Sequence, residues 1–131
     1  MELHLTGTRI SELCVPYIIG LKKLGYIAVP PEGVCGFSNR CILTIVKNCL
    51  FLTTLDCQEG NFFDLEEVAE IVTNNFQLTG LIITYAFIDD NMFMFVIVSL
   101  RNLTHICVCK TSVTQVCVDI MKSRKPYLHI C

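Results

Sequence analysis

The side chains of this sequence best suited to chemistry are cysteine and histidine. Nine cysteines stand at positions 14, 35, 41, 49, 57, 107, 109, 117 and 131. Cys107 and Cys109 are two residues apart on a probable strand, and His105 lies two before them, so the three share one side of it. Imidazole and thiolate together suit zinc, but a closed tetrahedral site needs a second ligand pair at suitable spacing. The sequence has no Cys-x-x-Cys pair and only three histidines. No metal site is therefore expected. Most of the cysteines fall at apolar positions, where a free thiol packs as a small hydrophobe. A cysteine nucleophile needs a nearby base. His105 and Cys107 sit on a strand that reads as interior, so no catalytic residue is expected.

Other catalytic signatures are missing from the sequence. Gly33-Val34-Cys35-Gly36 lacks the Gly-x-x-x-x-Gly-Lys phosphate loop, and no His-Glu-x-x-His occurs. Asp89-Asp90 is a carboxylate pair suited to a turn or a helix cap. The net charge of −2 gives no overall attraction to nucleic acid, so any such contact needs a local patch. The composition, 53% hydrophobic and 17% charged with mean hydropathy +0.57, implies a large core or an apolar surface covered by a partner. An odd cysteine count with no leader-like N-terminus argues against a secreted disulfide framework. The apolar stretch 78–100 carries Asp89 and Asp90 at its centre, which argues against a membrane span.

The elements that must position these residues follow from periodicity. Residues 78–88, LTGLIITYAFI, are apolar without alternation and read as a central strand covered on both faces. Before it, residues 2–6 and 26–29 read as strands. Between them lies a helix kinked at Pro16, or one that starts near Val15. Residues 41–46, CILTIV, and 49–55, CLFLTTL, read as neighbouring antiparallel strands. Asp64 begins a helix whose inner face is Leu65, Val68, Ala69, Ile71, Val72 and Phe76. For 91–102, propensity favours a strand. The need for a crossover to strand 104–109 selects a helix. Thr111-Ser112 caps a last helix, with a stripe of Val113, Val116, Cys117, Ile120 and Met121 and a basic end at Lys122, Arg124 and Lys125. No internal repeat, low-complexity tract or linker is apparent, and 1–131 is read as a single domain.

This order, β α β β β α β α β α, resembles the nuclease-like domain of the XPF family of structure-specific DNA endonucleases. It is most similar to the non-catalytic partner subunits of that group. The resemblance is carried by Phe37-Ser38-Asn39-Arg40-Cys41-Ile42-Leu43, by the helix and strand 65–87, and by 104–109 with the following 111–127 ending in Lys125-Pro126. It implies a three-layer α/β fold, restriction-nuclease-like, with a central mixed sheet covered by helices on both faces. Active members carry Gly-Asp and Glu-Arg-Lys, which hold a catalytic metal. The equivalent stretches here, CILTIVKN and CLFLTTLD, lack them, so the resemblance implies a pseudonuclease without cofactor. The family's helix-hairpin-helix tail is not found either. The implied role is a nuclear, non-catalytic subunit that heterodimerises with an XPF-like protein and binds branched DNA in repair or meiotic crossover. Val113, Val116, Cys117, Ile120 and Met121 would form the dimer interface. Lys122, Arg124 and Lys125 would touch phosphates. The alternative is a self-associating intracellular adaptor with no DNA role. Neither reading has a membrane or a small-molecule substrate.

Overall fold

The computed structural model describes residues 1–30, 37–57, 63–84 and 86–131. The readings that rest on 31–36, among them the glycine pair Gly33 and Gly36, and most of the polar loop at 56–61 lie outside them. The chain is α/β. Six short strands, β1 (Glu2–His4), β2 (Tyr26–Ala28), β3 (Thr54–Asp56), β4 (Gly80–Ile82), β5 (His105–Cys107) and β6 (His129–Ile130), form one sheet. Five helices, α1 (Val15–Ile19), α2 (Asn39–Asn48), α3 (Leu65–Asn74), α4 (Asp90–Ser99) and α5 (Gln115–Arg124), alternate with them. The strands stand in chain order, and every neighbouring pair is parallel. The expected mixed sheet is thus corrected to a parallel one.

An internal repeat accounts for this regularity and corrects the expectation of none. Register partners Glu2, Tyr26, Thr54, Gly80, His105 and His129 are spaced 24, 28, 26, 25 and 24 residues apart. Four units share a Leu-x-x-Leu-x-Leu frame: Leu24, Ile27 and Val29; Leu52, Leu55 and Cys57; Leu78, Leu81 and Ile83; Leu103, Ile106 and Val108. All twelve are buried. The N–H of Leu24, Leu52, Leu78, Leu103 and Leu128 each donates to a carbonyl three residues back. The hydroxyls of Thr53, Thr79 and Thr104 each donate to the carbonyl at the same place in the preceding unit, on Gly25, Thr53 and Thr79. An apolar residue and a capping residue then open each helical segment: Ile10-Ser11, Phe37-Ser38, Phe63-Asp64, Ile88-Asp89 and Val113-Thr114. Asp64 makes a full capping box with Glu67, while Asp89 and Thr114 accept from the N–H groups of Met92 and Cys117.

Two element readings change, and the last helix is capped by Thr114 and not by the expected Thr111-Ser112. Residues 41–46 are not a strand but the middle of α2. An apolar run of that length fits either element, and the deciding signal is Ile42, Ile45, Val46 and Cys49 at helical spacing, all buried. Residues 49–55 contribute only the start of β3, which runs parallel to its neighbours. The helix chosen for 91–102 is present as α4, and the late start near Val15 is present as α1, with Pro16 in its first turn.

Helix α1 packs on α2, α2 on α3, and α3 on α4. In a sheet whose strands follow chain order, crossovers of one hand lay every helix on the same face. Strand burial agrees. The central residues Ile27, Leu55, Leu81 and Ile106 have no exposed surface, whereas Glu2, His4, Tyr26, Thr54, Ile82, His105, Cys107 and His129 at the flanking positions keep some. The core lies between the sheet and the helices packed on it.

Candidate functional site

The sheet face away from the helices is the surface this fold builds with most regularity. The pleat sends the residues on either side of each strand centre towards it. One row runs Glu2, Tyr26, Thr54, Gly80, His105, His129, and a second runs His4, Ala28, Asp56, Ile82, Cys107. Cys131 continues the second row, since its N–H donates to Ile106 and its carbonyl accepts from Val108. None of these positions is Lys or Arg, while Glu2 and Asp56 are carboxylates.

The β1–β3 half of the face is polar. The Tyr26 hydroxyl donates to Oδ2 of Asp56 at 2.8 Å, and the Tyr26 ring lies 4.9 Å from that of His4. Burial, then the hydrogen bond and charge of Asp56, then the charge of Glu2, push the Tyr26 phenol up to about 12. The other oxygen of Asp56, Oδ1, is buried and has no hydrogen-bond partner among the described residues. Such an atom is costly in a fold unless water or another polar group meets it. Gly80 continues the first row because a Cβ there would stand 3.0 Å from the Thr54 side chain.

The β5–β6 half holds histidine and cysteine. The rings of His105 and His129 stack at 4.8 Å and 24°. The Cys107 thiol donates to the sulfur of Cys109 at 3.5 Å. Ligand atoms of His105, His129 and Cys131 all fall within 4.8 Å of one another. The second ligand pair sought in the sequence is thus His129-x-Cys131, one repeat further on. The signal was a His-x-Cys motif recurring at the repeat spacing.

The residues expected at a dimer interface divide. Cys117 and Met121 are buried, Val113 is half-buried against the core, and Val116 and Ile120 are 68% and 45% exposed. Lys122 and Arg124 are exposed at the end of α5. Lys125 is engaged, since its ammonium donates to the carbonyl of Ile97 in α4 at 3.0 Å. Asp90 joins the same two helices by accepting from the N–H and hydroxyl of Thr114 at 2.6 and 2.7 Å. Those bonds hold its carboxyl below its ordinary range.

A groove of about 590 Å³ between α2 and α3 has structural carboxylates. Asp64 and Glu67 cap α3, and Glu70 pairs with Lys47 of α2. Burial first of all pushes up the thiols of Cys49, Cys57, Cys107 and Cys117, and the bond to Cys107 does the same for Cys109. A nucleophilic cysteine needs the opposite shift. No helix among the described residues is long and apolar enough to cross a membrane. The sequence matches no family model, and no curated protein matches it.

Proposed function

We propose that this chain is a non-enzymatic recognition module that takes a basic segment of a partner protein along the open face of its sheet. The observation that carries this reading is the charge of the face, which bears Glu2 and Asp56 and no Lys or Arg. A cationic side chain from a partner would complement the carboxylates of this row. The architecture supports the reading. A strand with Leu-x-x-Leu-x-Leu followed by a helix, repeating within about 20–29 residues, is the unit of leucine-rich repeats. Stacked units of this kind offer an extended sheet surface for binding. The upward thiol shifts and engaged carboxylates support the absence of catalysis.

A second reading rests on α5. Exposed Val116 and Ile120 are an apolar pair available to a partner, which is the edge expected for a subunit that heterodimerises with an XPF-like protein in the nucleus. Lys122 and Arg124 beside them would then approach branched DNA. The restriction-nuclease-like form of this reading requires a mixed sheet, and the parallel order gives it no support.

One capture experiment separates the two. The full chain serves as bait in three forms: wild type, Glu2→Lys with Ile82→Arg on the open face, and Val116→Ser with Ile120→Ser on α5. Circular dichroism verifies that each form is folded. The open-face reading expects a partner held by wild type and by the α5 variant and lost by the face variant. Loss by the α5 variant alone, above all of an XPF-like protein in near-equal amount, would replace it with the second reading. Recovery of the bait alone from every extract would favour the self-associating adaptor.

A further inference from the structure

The β5–β6 end of the open face brings together four side chains of metal-ligating type, His105, Cys107, His129 and Cys131. His105 and His129 are register partners on adjacent strands. Two residues further along each strand come Cys107 and Cys131. Parallel strands lie about 4.8 Å apart and rise about 3.3 Å per residue, so the four side chains leave one face from the corners of a small rectangle. The ligand atoms of His105, His129 and Cys131 already lie within 4.8 Å of one another. Tetrahedral zinc, with bonds of about 2.0–2.3 Å, brings its ligands somewhat closer than that, a distance that side-chain rotation covers.

We propose that this chain binds one zinc ion between its last two strands, through His105, His129 and Cys131 with Cys107 as the fourth ligand. The donor set selects the metal. Two imidazoles and two thiols with no carboxylate suit zinc and exclude the hard cations calcium and magnesium. Binding releases the thiol protons of Cys107 and Cys131 to solvent and leaves a centre with no net charge. The ion would fasten β6, a strand of two residues, to β5. The inference is independent of the docking reading, because it involves no partner.

Cobalt titration of the reduced, chelator-stripped full chain tests it. The expected result is one Co²⁺ per chain, with a thiolate charge-transfer band, tetrahedral visible absorption and displacement by Zn²⁺. His129→Ala and Cys131→Ser should each weaken binding more than about 100-fold, since outer partners of metal ligands alone are worth 10–100-fold. Cys14→Ser, in the first unit, should bind as wild type. Zinc should raise the Tm of the wild type and leave that of His129→Ala unchanged. His129 is exposed, so its variant keeps the test valid even where Cys131→Ser does not fold. Absence of the thiolate band, or wild-type affinity in His129→Ala and Cys131→Ser, would overturn the proposal.

Discussion

Tyr26 and Asp56 carry the sharpest consequence at the scale of the residue. Replacing Tyr26 by Phe removes a hydrogen bond to a buried carboxylate and leaves both its oxygens without a partner among the described residues. The expected loss is about 1–3 kcal/mol, measured by urea unfolding. The same pair sets an alkaline limit. A phenol raised from 10 to about 12 contributes stability that is full below pH 10 and disappears as pH rises through 12. The stability difference between wild type and Tyr26→Phe should therefore shrink across that window. An unchanged difference would mean that the Tyr26–Asp56 bond does not form in solution. Asp90 works in the other direction. Its carboxyl is held low by Thr114, so its contribution is present above the ordinary carboxylate range and is lost as pH falls through the folded value. Asp90→Asn should flatten the acid limb of the stability profile.

At the scale of the element, each unit is a buried strand centre plus a capped helix, and the two parts fail differently. Leu81 is fully buried at the centre of β4, so Leu81→Ala should cost about 2–5 kcal/mol. Asp64→Ala removes the acceptor of a capping box on an exposed helix start and should cost about 1 kcal/mol. Chemical denaturation of the two variants checks the order. A larger effect at Asp64 than at Leu81 would mean that capping outweighs core packing in holding the units. The elements also explain what was legible. The start of helix α3 could be read because Asp64 and Glu67 form a cap that few other patterns imitate, but Leu65 and Phe76, expected on its inner face, are exposed and Phe76 lies beyond its end. Helix α2 was misread because Cys-Ile-Leu-Thr-Ile-Val is short, β-branched and apolar on several sides. Its helical spacing becomes visible only when Cys49 is counted with it.

At the scale of the whole molecule, a stack in which each unit touches only its neighbours has no single centre. Helix contacts run α1 to α2, α2 to α3 and α3 to α4, and strand contacts follow the same order. Stability in such an array is close to a sum of unit and interface contributions. Amide hydrogen exchange should therefore be graded, slowest at Leu55 and Leu81 in β3 and β4 and fastest in β1 and β6. Equal protection from end to end would point to one cooperative core instead. Zinc should raise protection in β6 before it does so in β1.

The sequence by itself determined the period, the caps and the alternation of strand with helix, because these depend on contacts within about ten residues. Leu-Thr at 52, 78 and 103 and the Ser, Asp or Thr before each helical segment are local signals, readable once the repeat is sought. The site was not readable in the same way. Which face of the sheet stays open depends on the hand and order of the crossovers. Asp56 meets Tyr26, and His105 meets His129, only because parallel register places residues from successive units side by side. The fold turned two His-x-Cys motifs, separated by a whole helix, into one cluster, and that step belongs to the tertiary structure alone.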